Sequence, residues 1–94
     1  QRFEYTLELG WKTLKDKMKF DGLLISQVSP KMVMKKSYYY QYIDNIDPWL
    51  AMINDRNILS HTYNEKVVKQ VIPVIKEQYL PLLDRLYKRL VKDL

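Results

Sequence analysis

Apolar residues recur every three or four positions along most of this chain, and that spacing restricts the fold more than any other feature. Phe3, Leu7, Trp11, Leu14 and Met18 fall on one face of a helix. Val67, Val71 and Ile75 form a second such stripe, and Leu82, Leu86 and Leu90 a third. No stretch keeps the period-two alternation of a half-buried strand. With only 2 Gly and 4 Pro, the chain also lacks the turn residues of an all-β fold. The pattern predicts an all-α, antiparallel up-and-down helical bundle, four-helix-bundle-like, with short connections between neighbours.

Local signals divide the pattern into elements. Asp21-Gly22 ends the first helix. Ser29-Pro30 starts the second: a capping hydroxyl, then a proline where no amide donor is needed. The second helix runs through Tyr38-Tyr39-Tyr40, whose rings cannot all share one face, so some are expected to be exposed or to meet a partner, and packing on the next helix is the expected fate of at least one. Asp47-Pro48 repeats the start signal for a third helix, which carries Trp49, Leu50 and Ile53 inward and fades near Tyr63. Asn64 suits the cap of a fourth helix. Pro73 is expected to kink it, and Pro81 to break or bend the chain between residues 78 and 81. Gly10 lies within the first helix, where glycine costs about 1 kcal/mol against alanine. Close packing of a neighbouring helix is the expected reason for it.

The 94 residues suit one domain, residues 1–94. The chain starts at Gln1 in mid-pattern, so an N-terminal segment ahead of it is expected. There is no cysteine, which excludes a disulfide scaffold and a thiolate metal site. No apolar run approaches a membrane span and no signal-peptide pattern is present, so no membrane association and a cytoplasmic location are expected. Sixteen Lys and Arg against 11 Asp and Glu give a net charge of +5. Such a balance attracts phosphate, although a lysine-rich surface is by itself an ordinary solvated one.

Chemistry concentrates in residues 55–63. His61 is the single histidine. Asn57 precedes it by one helical turn on the same face, and Arg56 lies about 140° round the helix. Tyr63 falls near the expected helix end. An imidazole near neutrality can take a proton from a ribose 2′-hydroxyl or give one to a leaving 5′-oxygen. A permanently charged guanidinium can hold the phosphate. Asn57 can orient either partner. One histidine does not conveniently supply both base and acid, and a symmetric dimer would bring two together. No metal and no cofactor is expected: Asp44, Asp47 and Asp55 share no face for magnesium, and no glycine-rich phosphate loop is present. Lys12, Lys15 and Lys19 form a stripe that reads first as a solvated face.

Several blocks taken together resemble the HEPN family, and most closely its branch of nucleotidyltransferase substrate-binding proteins. These are the run QRFEYTLELGWKTLK at residues 1–15, Ser29-Pro30, Asp55-Arg56-Asn57 through His61-Thr62-Tyr63-Asn64-Glu65, and Tyr79-Leu80-Pro81-Leu82-Leu83, in the same order. The resemblance implies a helical bundle that forms homodimers and pairs with a cognate minimal nucleotidyltransferase. It implies a metal-independent endoribonuclease toxin acting on RNA, with tRNA among the candidate substrates and the nucleotidyltransferase as antitoxin. The family's Arg-x(4–6)-His motif carries over onto Arg56 and His61, and its following polar residue onto Asn57. The extended His-x-Tyr form carries over onto His61 and Tyr63, the tyrosine that partners of related proteins adenylylate. The competing reading is a non-catalytic substrate-binding or regulatory subunit of a nucleotidyltransferase complex.

The chain departs from the family pattern in places. An earlier helical segment usually precedes the first block. Tyr38-Tyr39-Tyr40-Gln41-Tyr42 stands where small residues are usual, and Gly10 where alanine is commoner. None of these falls on residues 55–63.

Overall fold

A computed structural model describes residues 2–26, 28–61 and 64–92. Helix α1 spans Arg2–Phe20, α2 Pro30–Tyr39, α3 Asp47–His61 and α4 Glu65–Val74. A π turn, Ile75–Tyr79, then leads into α5, Leu80–Lys92. No strand occurs among the described residues. Helix α1 packs against α2 and α5, α2 against α3, and α3 against α4. Short connections reverse the chain between neighbours, which gives the up-and-down bundle the sequence predicts.

The stripe of α1 is the spine of the core. Phe3, Leu7, Trp11, Leu14 and Met18 are all buried. Val33 and Met34 of α2, Trp49, Met52 and Ile53 of α3, and Tyr79, Leu83 and Leu86 close over them. Each such side chain contributes roughly 1.5–3 kcal/mol by leaving water. Ser37 is the buried polar residue of this core. Its hydroxyl donates to the carbonyl of Val33 at 2.7 Å, so its burial leaves no unmet hydrogen bond.

The ends of α1 and α2 are built alike. Gly22 stands at φ 91, with its N–H on the Lys19 carbonyl and the N–H of Leu23 on that of Met18. Gln41, at φ 66, repeats the motif: its N–H reaches the Tyr38 carbonyl, and the N–H of Tyr42 reaches that of Ser37. Arg89 of α5 donates to the Gln41 carbonyl at 3.2 Å and lies 3.5 Å from Asp44, which fastens this corner. At the starts, the Ser29 hydroxyl accepts from the Met32 N–H at 3.2 Å, and the Asn64 side chain from the Lys66 N–H at 2.9 Å.

Four expectations are corrected. The chain does not break between residues 78 and 81. It stays helical from residue 65 to residue 92, through Pro73 and Pro81. Pro81 brings no N–H, and its ring would clash with the carbonyl four residues back. The π turn widens the helix there: the N–H of Leu80 bonds to the carbonyl of Ile75, five residues earlier. The inner stripe of α4 is only half-buried, since no residue of that helix is fully buried. Tyr38, Tyr39 and Tyr40 are all exposed, and Tyr39 meets Tyr40 edge-on at 5.0 Å instead of a neighbouring helix. Gly10 does face α5, but a Cβ there would sit 3.4 Å from Leu83, an ordinary contact, so packing does not demand glycine.

Between α1 and α5 runs an open groove of about 680 Å³, with Leu9, Leu83, Tyr87 and Val91 among its lining. No helix among the described residues is long and apolar enough to cross a membrane.

Candidate functional site

The candidate residues lie on the last two turns of α3. Beyond Ile53 no residue of that helix is buried. Arg56 is half-buried, whereas Asn57, Ser60 and His61 are exposed. Arg56 Nη1 donates to Asn57 Oδ1 at 3.4 Å, a long bond that joins these neighbours directly. The Ser60 hydroxyl donates to the Arg56 carbonyl at 3.0 Å. His61 ends the helix, one turn from Asn57 and on its face. Tyr63 lies outside the described residues.

Three further side chains, Asp55, Tyr79 and Glu8, belong to this neighbourhood, and sequence patterning missed their roles. Asp55 Oδ2 accepts a hydrogen bond from the Tyr79 hydroxyl, across 24 positions of sequence. Tyr79 is buried, and its ring stacks on Phe3 with centroids 5.5 Å apart and planes 19° from parallel. Burial, and then the Asp55 carboxylate, push the Tyr79 phenol far above its ordinary value. On α1, Glu8 accepts from Lys12 Nζ and from Trp11 Nε1, each at 3.1 Å. The Lys12 bond, then the Trp11 bond, hold the Glu8 carboxyl below the usual carboxylate range. The charges of Lys12 and Arg56 act in the same direction, so Arg56 stands within electrostatic reach of α1. No periodicity joins residue 55 to 79 or residue 8 to 56; only the bundle does.

The other sequence candidates resolve into ordinary structure. Asp47 opens α3, with its N–H on Asn45 Oδ1 at 3.2 Å. Asp44 faces Arg89 and Asp55 faces Tyr79. Among the described residues, no three His, Asp or Glu side chains cluster as metal ligands would. Of the lysine stripe, Lys12 pairs with Glu8 and Lys15 lies 3.8 Å from Asp16. Such exposed pairs contribute little to stability.

Arg56, Asn57 and His61 thus lie on the last two turns of α3, with Asn57 and His61 one turn apart. A family model described as "Nucleotidyltransferase substrate binding protein like" matches residues 1–92. The chain belongs to this family. A curated relative of the chain is "Probable ribonuclease HepT" of Haemophilus influenzae, 26% identical over 95 residues. That match covers 95% of this chain and 65% of the relative, so the chain spans just under two thirds of the relative's length. No solved structure matches the chain.

Proposed function

We propose that this protein is a metal-independent endoribonuclease of the HEPN type, controlled by a cognate minimal nucleotidyltransferase. The observation that carries the reading is the grouping of Arg56, Asn57 and His61 on the open end of α3. Membership of the family and the probable ribonuclease among its relatives support it.

The chemistry needs no metal because RNA brings its own nucleophile. His61 accepts the proton of a 2′-hydroxyl, whose oxygen attacks the adjacent phosphorus. The bond from phosphorus to the 5′-oxygen breaks, leaving a 2′,3′-cyclic phosphate and a 5′-hydroxyl that takes up a proton. Arg56 holds the phosphate and offsets its growing charge. Asn57, bonded to Arg56, orients the guanidinium. A homodimer supplies a second imidazole as the acid. Tyr63 is the proposed control point: its phenol oxygen attacks the α-phosphorus of ATP on the nucleotidyltransferase, and pyrophosphate leaves. The added phosphate then competes with the substrate phosphate for Arg56.

The second reading, a non-catalytic subunit of a nucleotidyltransferase complex, draws on one observation. The chain holds a single imidazole, and the nearest carboxylate on α3, Asp55, is engaged by Tyr79. Cleavage of total RNA in EDTA by the full-length protein, beside its His61→Ala variant, separates the two. Cleavage that ends in 2′,3′-cyclic phosphate and vanishes in the variant supports the ribonuclease. Equal background from both, with intact mass showing no adenylate on the wild type, supports the subunit.

A further inference from the structure

The site-bearing end of α3 is weakly held by apolar contact. The buried residues of the helix, Trp49, Met52 and Ile53, all precede it. Beyond them Ile58 is exposed and Leu59 is only half-buried against the core. One side-chain hydrogen bond among the described residues ties this end to another helical element, and it is Tyr79 to Asp55. Asp55 immediately precedes Arg56 in the chain.

The other partner of that bond is placed by an unusual piece of backbone. Tyr79 is the last residue of the π turn, two positions before Pro81. Widening the helix there accommodates the proline and keeps the Tyr79 ring stacked on Phe3 of α1. The hydroxyl is thus carried on a buried ring stacked on Phe3.

We infer that Tyr79 and Asp55 are positioning residues for the site on α3: the Tyr79 hydroxyl, set by the π turn, fastens the helix end that presents Arg56, Asn57 and His61. The bond touches no substrate. It fixes the height and rotation of the last two turns of α3, and a catalytic pair displaced by even 1 Å loses much of its rate. The inference deepens the ribonuclease reading, and its catalytic half rests on that reading. The mechanical half, that the bond holds the end of α3, does not.

The test uses the full-length protein and four variants. Tyr79→Phe removes the hydroxyl and keeps the ring on Phe3. Asp55→Ala removes the acceptor. Asp55→Asn keeps an acceptor oxygen without the charge, and the fourth variant combines Asp55→Ala with Tyr79→Phe. Native-state hydrogen exchange at the amides of residues 57–61 should quicken about tenfold in Tyr79→Phe and Asp55→Ala. The amides of residues 50–53 should hold. RNA cleavage should fall by a similar factor in kcat, with KM nearly unchanged, because phosphate capture survives while alignment suffers. Asp55→Asn should restore both readouts, and the double variant should be no worse than either single. Unchanged exchange in Tyr79→Phe would overturn the inference, as would Asp55→Asn behaving like Asp55→Ala, which would assign the role to the charge. If the wild type cleaves no RNA, the ribonuclease reading fails by itself, and the exchange data still decide whether the tether exists.

Discussion

The two halves of α3 differ in what holds them. Residues 47–53 are anchored by Trp49, Met52 and Ile53, each at most 3% exposed. Residues 54–61 have no buried side chain and rely on half-buried Leu59 and the bond from Asp55 to Tyr79. One half contributes stability, and the other presents Arg56, Asn57 and His61 to solvent. The contrast shows how a small bundle reconciles a packed core with an accessible site: one helix enters the core at its start and leaves it at its end.

The largest effect should come from the anchored half. Met52 is fully buried. Its truncation in Met52→Ala removes buried atoms and leaves a cavity, costing about 2–5 kcal/mol. For a domain of this length that lowers Tm by more than about 10 °C. Thermal unfolding followed by circular dichroism measures it. A loss below about 1 kcal/mol would erase the distinction between the halves.

The tether comes next, and pH can address it. The folded state raises the Tyr79 phenol above its ordinary value of 10.0, so it favours the neutral form. The stabilisation is therefore complete below pH 10 and is lost as pH rises from there toward the folded value. Urea midpoints measured at pH 9 and pH 11 should fall more in wild type than in Tyr79→Phe. Parallel pH curves would remove the hydroxyl from the tether. Tyr42 provides a comparison at another corner. Burial, and then its bond to Asp21, push its phenol up to about 12, so Tyr42→Phe should flatten the same limb.

This division was partly legible in the sequence. The α1 stripe, the caps at Ser29 and Asn64 and the stop at Gly22 are local, and each stands where spacing and residue chemistry put it. The grouping of Arg56 and Asn57 was also local, since neighbours on a helix need no fold to meet. What stayed hidden depended on distant pairing. Pro81 signalled a disturbance, but whether the chain would break or widen depended on the gain from keeping Tyr79 and Leu83 in the core. Gln41 carries no sign of its left-handed backbone, because glutamine seldom adopts it. Asp55 resembled any other acidic residue until the bundle brought Tyr79 to it.

A smaller effect should come from the apolar contacts of the exposed half. Ile58 is 39% exposed, so Ile58→Ala forfeits only part of a buried side chain, about 1 kcal/mol. Urea denaturation measures this against Met52→Ala in the same helix. A cost near that of Met52→Ala would mean that the end of α3 is packed as firmly as its start. In that case Tyr79 would have little left to hold.

The smallest effect on stability should come from the residue with the largest proposed effect on activity. His61 is exposed, ends its helix and lies two turns beyond Ile53. Replacement at such a position changes stability by no more than about 0.5 kcal/mol. His61→Ala should therefore unfold at the urea concentration of the wild type. That equality gives the cleavage assay its meaning, because activity lost from an equally stable protein is lost from the site itself. A stability loss above about 1 kcal/mol would instead make His61 part of what holds α3, and would move the boundary between the two halves past the site.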